Sequence, residues 1–223
     1  MKKNRSKTSA VWMREHVSDV FVHRAKKEGY RSRAAYKLLE IDAKDHLLFP
    51  GARVVDLGSA PGSWSQVAAA KVGKMGKVIA VDILPMEPLK RVEFIHGNFM
   101  EEDIWSQLEN CLANKLLDLV ICDIAPSISG VALTDQARAY YLAELALFFA
   151  ERYLGKEGRF LVKVFHGAGY EDYVRRMKER FEKVVVRKPH ASRDRSKEVY
   201  LLASRLHYSS GEEHVCLLYT SDA

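Results

Sequence analysis

One stretch constrains this chain more than any other: Val54-Val55-Asp56-Leu57-Gly58-Ser59-Ala60-Pro61-Gly62-Ser63-Trp64-Ser65. A short apolar run ends in an acid, a turn of small residues follows, and a helical pattern covers residues 63–72. Strand, tight glycine-containing turn and helix N-terminus together make the nucleotide-binding corner of a doubly wound α/β sheet. Gly58 and Gly62 have no Cβ to hold the backbone away from a ligand. The spacing differs from the dinucleotide pattern G-x-G-x-x-G. It suits a site that cradles no pyrophosphate and holds an adenosine carrying an amino acid. A strand–turn–helix joint with no ligand is the alternative that these residues alone leave open.

The remainder of the chain alternates in the same way. Apolar runs predict strands at residues 77–82, 92–96, 117–123 and 158–165, the last apolar enough to be central. Helices are expected over residues 101–112, from 134 or 135 to 153, and over 170–180. Strands at 183–187 and 197–203, joined through a polar loop, read as an antiparallel addition at the sheet edge. Two helices precede the corner, one over residues 17–28 ended by Gly29, one capped by Ser32. The expectation is an α/β fold with a mostly parallel seven-stranded sheet, one antiparallel edge strand and helices on both faces. It forms a single domain over residues 16–206. Residues 1–15 read as a basic flexible arm, and residues 207–223 as an unstructured tail without periodicity. The last eight residues, from Cys216, can be written as an in-frame translation of a transposon adapter used in sequencing libraries.

Charge placement says more than the net value of +6. Residues 1–40 hold eleven lysines and arginines against four acids, so the rest of the chain is close to neutral. A second basic group, Arg187, Lys188, Arg193, Arg195 and Lys197, lies near the end. Two basic segments around a neutral body suit a polyanion such as nucleic acid, the alternative being ordinary solvated lysine. Trp12, Tyr30 and Tyr36 are candidates to stack on bases, although such residues more often belong to a core or its edge. No apolar run reaches the roughly 20 residues of a membrane span, and no apolar segment follows the basic start. Cys111, Cys122 and Cys216 show no metal-ligand spacing, so no metal site and a reducing, cytoplasmic compartment are expected.

Three strands end in acids, which would place Asp56, Asp82 and Asp123 along one rim, where open α/β sheets bind ligands. Asp82 lies twenty residues beyond Gly62, a spacing suited to a carboxylate that accepts hydrogen bonds from a ribose diol. Lys163 stands between Leu161, Val162, Val164 and Phe165. A lysine in such a run needs an anionic partner, and Asp123 is the nearest candidate. An active-site role is favoured over a stabilising pair on the sheet's outer face, because Phe165-His166-Gly167 ends the strand at the rim.

At this point the sequence resembles the FtsJ-type ribose 2′-O-methyltransferases, in particular those acting on large-subunit ribosomal RNA. The matching segments are Arg31-Ser32-Arg33-Ala34 with Lys37-Leu38, Val55-Asp56-Leu57-Gly58 with Ala60-Pro61-Gly62, Asp82-Ile83-Leu84-Pro85-Met86, Asp123-Ile124-Ala125-Pro126, Val162-Lys163-Val164-Phe165, Arg187-Lys188-Pro189, and Ser196-Lys197-Glu198-Val199-Tyr200. They run in family order from about residue 10 to 204.

The resemblance implies a Rossmann-like methyltransferase fold and S-adenosylmethionine as cofactor. The substrate it implies is a ribose, of a uridine, in 23S ribosomal RNA of the large subunit. The implied catalytic residues are Lys163, Lys37, Asp123 and Glu198. Gly58, Gly62, Trp64, Asp82, Asn98 and Asp123 would hold the cofactor. Binding an RNA needs phosphate contacts, which the basic N-terminal arm with Arg31 and Arg33 and the loop carrying Arg193 and Arg195 can supply. Asn98 stands where the family commonly has an acid, and its amide oxygen can still accept a hydrogen bond from an adenine amino group. Ser63 stands where a third glycine is frequent.

A 2′-hydroxyl is a weak nucleophile, so the site must align oxygen, methyl and sulfur and help remove one proton. Lys163 is the central residue, either as base or as a group that orients the hydroxyl, with Asp123 and Glu198 orienting the two lysines. The same reaction on transfer RNA and a non-catalytic ribosome-assembly factor are the other readings. The intact four residues count against the latter. A monomer with no membrane partner is expected.

Overall fold

The computed structural model describes residues 19–126, 129–193 and 196–207. The expected arm at 1–15, Trp12, Arg195, Cys216 and the tail beyond residue 207 lie outside the described residues.

The chain opens with α1 (Val20–Glu28), capped by the Asp19 carboxylate on Phe21 N and ended by Gly29, and α2 (Ala34–Asp45). The cap position of α2 is Arg33, without a side-chain cap, rather than the expected Ser32; Ser32 Oγ accepts from Ala34 N at 3.2 Å from one residue further out. Then come β1 (Arg53–Leu57), α3 (Ser63–Val72), β2 (Lys77–Asp82), β3 (Val92–His96), α4 (Glu102–Leu112), β4 (Leu117–Cys122), α5 (Ala132–Tyr153), β5 (Leu154–Phe165), α6 (Tyr170–Arg180), β6 (Phe181–Arg187) and β7 (Glu198–Leu206). The strands form one sheet in the order β3-β2-β1-β4-β5-β7-β6. β3, β2, β1, β4 and β5 pair in parallel, while β7 runs antiparallel to both of its neighbours. The antiparallel pair does sit at the sheet edge as the sequence suggests. The strand that runs the other way is β7, one place in, with β6 outermost.

Buried strand residues alternate between two apolar clusters. Val54, Leu119, Leu161 and Leu202 face α2 and α3, packing with Leu38, Trp64 and Val67. Val55, Leu57, Val120, Phe160 and Val162 face α4, α5 and α6, packing with Leu108, Phe149 and Tyr173. Helices therefore cover both faces, which is why the central strands read as continuous apolar runs. β5 begins four residues earlier than its apolar run predicts. Leu154 pairs with Leu117, and the register shifts before Arg159 pairs with Leu119, so a bulge absorbs the polar residues between.

The antiparallel sense of β7 decides what reaches the rim. In the β5–β7 register Lys163 lies opposite Tyr200 and Phe165 opposite Glu198. The first residues of β7 therefore meet the last residues of β5 at the carboxyl end of the parallel strands.

Candidate active site

The corner after β1 is built as the sequence implies. Gly58 (φ +73°) and Gly62 (φ +100°) both take the left-handed backbone region that glycine tolerates. A Cβ at Gly58 would lie 2.0 Å from Ile124 Cγ1, and one at Gly62 would lie 2.6 Å from Met86 Sδ and 2.7 Å from Arg31 Nη1. The close approach that these glycines permit thus includes the chain's own loops. Gly62 also caps α3, so the helix N-terminus opens onto this corner. A cavity of about 40 Å³ lies here, lined in part by Asp56, Gly58, Ser59, Trp64 and Asp123.

Of the three strand-end acids, Asp82 and Asp123 stand at the rim and Asp56 does not. Asp56 is 1 % exposed; its Oδ2 accepts from Ser65 Oγ at 2.5 Å, and its Oδ1 is buried without a partner. Period-2 alternation turns its side chain under α3, which corrects the rim placement. Burial, opposed by the Ser65 hydrogen bond and reinforced by the charges of Asp123 and Asp82, pushes its carboxyl up to about 7. Asp82 organises the corner: Oδ2 accepts from Ala60 N at 2.7 Å and Oδ1 from Leu84 N at 2.8 Å. Each oxygen keeps a lone pair for a ligand hydroxyl. Asn98 follows β3 in a turn where its Oδ1 accepts from Met100 N at 3.1 Å. Trp64 is buried, donates its indole N–H to Ala34 O at 2.8 Å and packs against Tyr200.

Two lysine–carboxylate pairs meet beside this corner. Lys163 Nζ lies 2.7 Å from the Asp123 carbonyl oxygen and 3.1 Å from Asp123 Oδ1. Lys37 Nζ lies 2.6 Å from Glu198 Oε1, whose same oxygen accepts from Ser192 Oγ at 2.9 Å. Lys37 comes from α2, Lys163 from β5 and Glu198 from β7, and Asp123 directly follows β4. Tyr200 joins the two pairs: its hydroxyl donates to Asp123 Oδ1 at 2.8 Å, and Lys37 Nζ stands 5.7 Å from its ring centre. Burial pushes the Asp123 carboxyl up, but Lys163, Lys37 and the Tyr200 hydroxyl together hold it below its usual value. Asp123 is therefore held as an anion.

A larger cavity of about 430 Å³ opens on the Lys37 side. Ser32, Arg33, Ala191, Arg193, Ser196 and Glu198 are among its lining residues. The loop before β7 that walls it is tied down at several points. Glu40 accepts from His190 N and Ala191 N, and Lys188 Nζ donates to the carbonyls of Ser196 and Glu198.

Two of the expected RNA-binding arginines are engaged inside the chain. Arg31 donates to Pro61 O at 2.9 Å and Pro88 O at 3.0 Å, fastening together the loops that follow β1 and β2. Arg33 bonds Asp19 and the Ala191 carbonyl, with its Nε buried and unpartnered. Their guanidinium groups tie separate chain segments together, and Arg33 and Arg193 both line the larger cavity. Tyr36 is buried and donates to Glu28 Oε2, with Tyr30 edge-on to it, so both belong to the packing of α1 on α2. Sequence reasoning missed Tyr200; its signal is the i, i+2 spacing from Glu198, which places both on one strand face.

Sheet order, ligand corner and paired lysines define a Rossmann-like fold of the methyltransferase class. Among solved structures, a Plasmodium falciparum protein described as a ribosomal RNA methyltransferase aligns with a TM-score of 0.72 at 30% identity, covering 79% of this chain and 98% of that one. An Aeropyrum pernix fibrillarin aligns with a TM-score of 0.52 at 14% identity over 78% of this chain and 75% of that one, a likeness of fold. Residues 30–206 match the FtsJ-like methyltransferase family, and the chain belongs to it. A Neisseria meningitidis relative named ribosomal RNA large subunit methyltransferase E is 60% identical over 198 residues, 89% of this chain and 96% of that protein. A Thiobacillus denitrificans relative of the same name is 56% identical over 204 residues, 92% of this chain and 93% of that one. No described helix is long and apolar enough to cross a membrane, and no described group of His, Cys, Asp and Glu could hold a metal ion.

Proposed function

We propose that the chain transfers the methyl group of S-adenosylmethionine to the ribose 2′-oxygen of a uridine in the 23S RNA of the large ribosomal subunit. The observation that carries this reading is the meeting of Lys163–Asp123 and Lys37–Glu198 between a nucleotide corner and a larger, arginine-lined cavity. The name of the relatives at 56–60% identity supports the choice of ribosomal RNA. The protein would act as a monomer in the cytoplasm.

The corner suits the cofactor. A buried, unpartnered carboxylate oxygen on Asp56 and an unpartnered Ser59 hydroxyl line a small cavity, and Asp82 keeps acceptor capacity for a diol. Gly58, Gly62 and Trp64 would border the group, Asp82 would take the ribose hydroxyls and Asn98 would face the adenine. Bound S-adenosylmethionine supplies an electrophilic methyl. The chain's residues align the hydroxyl and manage its proton. Two of the three hydrogen positions around Lys163 Nζ point to Asp123, and the third is the one to meet the 2′-oxygen. As a lone pair that position accepts the proton; as an N–H it orients the oxygen. Asp123 and Glu198 hold the two lysine nitrogens in place, and Arg193 meets RNA phosphate or sugar at the mouth.

The test is transfer of labelled methyl from S-adenosylmethionine to purified large subunits, small subunits and transfer RNA. Label should appear on large subunits alone, and Lys163→Ala should reduce its rate by at least about a hundredfold. Label on transfer RNA, or undiminished transfer by Lys163→Ala, would refute the reading.

A further inference from the structure

Asp123 touches the reaction on one side and is held on the other by a residue outside the catalytic set. We infer that Tyr200 is a positioning residue: its hydroxyl clamps Asp123 Oδ1 in place for Lys163 while its ring seats the Lys37 ammonium, coupling the two lysine–carboxylate pairs. This inference rests on the proposed methyl transfer for its kinetic consequence and on the geometry alone for its structural one.

Four geometric observations carry it. The Tyr200 hydroxyl and Lys163 Nζ share one oxygen, at 2.8 and 3.1 Å, so the Asp123 carboxylate cannot rotate without losing both. Tyr200 is fully buried, and Trp64 packs on its ring at 5.6 Å between centres, fixing the direction of the hydroxyl. Lys37 Nζ stands 5.7 Å from the ring centre, within cation–π range, and Glu198 Oε1 holds it at 2.6 Å. Lys163 and Tyr200 are directly paired residues of β5 and β7, so backbone hydrogen bonding fixes their separation. Burial and the charges of Asp123 and Glu198 raise the phenol well above its ordinary value, so it remains a donor throughout the working range.

The groups acting on Asp123 come from every element around it. Lys163 on β5 and Lys37 on α2 favour its anion, as does the Tyr200 hydroxyl on β7. Asp56 on β1 is coupled to it as a like charge, Glu198 stands beyond Lys37, and Cys122 precedes it with a thiol pushed up to about 12 by burial. Removing the hydroxyl alone leaves the two lysines in place and deletes one of the three groups that favour the anion.

Tyr200→Phe keeps the ring on Trp64 and Lys37 and removes the clamp. In carboxyl-carbon NMR titrations of the full chain without RNA, the midpoint of Asp123 should move to higher pH in Tyr200→Phe. In methyl transfer, kcat should fall about tenfold, with KM for RNA and for cofactor unchanged. Replacing Tyr200 by an ortho-fluorinated tyrosine, a stronger donor of nearly the same shape, should move the midpoint to lower pH and preserve kcat. It also decides the matter should Tyr200→Phe fail to fold. An Asp123 midpoint indifferent to both replacements overturns the inference, as does a folded Tyr200→Phe with wild-type kcat. Absence of methyl transfer by the wild-type protein would refute the proposed function, while the titration still reports on Tyr200.

Discussion

Asp56 offers the sharpest test of the energetics, because its carboxyl is buried with one oxygen lacking a partner. Its value rises from the ordinary 3.8 to about 7 in the fold, with burial the main cause. An acid raised in this way favours the folded state while neutral. That stability is fully present below pH 4 and is lost as pH rises from the unfolded value toward the folded one. At pH 8 the unfolded chain gains about 4 kcal/mol over the fold from ionising this group, and at pH 5 about 2 kcal/mol. Asp56→Asn removes the titration and retains an acceptor for Ser65. Relative to the wild type, the variant should therefore gain about 2–3 kcal/mol between pH 5 and pH 8, or a relative rise in Tm of about 5–10 °C for a chain of this length. Thermal and urea unfolding of both ligand-free proteins at the two pH values reads this directly. A stability difference that does not change with pH would refute the reasoning, by showing that Asp56 ionises as freely in the fold as in the open chain.

Two predictions concern the corner itself. Arg31→Ala releases the loops at Pro61 and Pro88, so the KM for S-adenosylmethionine should rise by about fivefold to tenfold with kcat nearly unchanged, measured by steady-state methyl transfer. Gly62→Ala forces a side chain into a left-handed residue and against Met86 and Arg31, and should cost about 1–3 kcal/mol in urea unfolding; a neutral result would mean that the turn relaxes freely.

The sequence disclosed the site in proportion to how local each signal was. The strands of the parallel half were legible because burial on both faces leaves unbroken apolar runs. Lys163 stood out as a cation inside such a run, and Asp123 as the acid ending the preceding strand. Lys37 was recognisable only through family resemblance. On α2 it sits among apolar residues, and its partner Glu198 is far away in sequence, so nothing local gives its burial. Tyr200 hid in the opposite way, since an aromatic residue in an apolar strand looks like core until strand register places its hydroxyl on Asp123. Asp56 was misplaced because a strand-end acid looks like a rim acid; the partner that pulls it inward, Ser65, lies in the following helix. Arg31 and Arg33 were read as phosphate contacts, and counting charges cannot see that each guanidinium also binds carbonyls or a carboxylate of its own chain.

The insertion of β7 between β5 and β6 bears on how the molecule is made. Both flanking strands leave the ribosome first, yet neither hydrogen-bonds the other in the finished sheet. Until residues 198–206 arrive, β5 presents an apolar edge and β6 has no neighbour to pair with. The same late strand brings Glu198 and Tyr200. A chain cut short before it lacks a closed sheet and half of the lysine–carboxylate arrangement at once, so structural completeness and chemical competence are achieved in a single step.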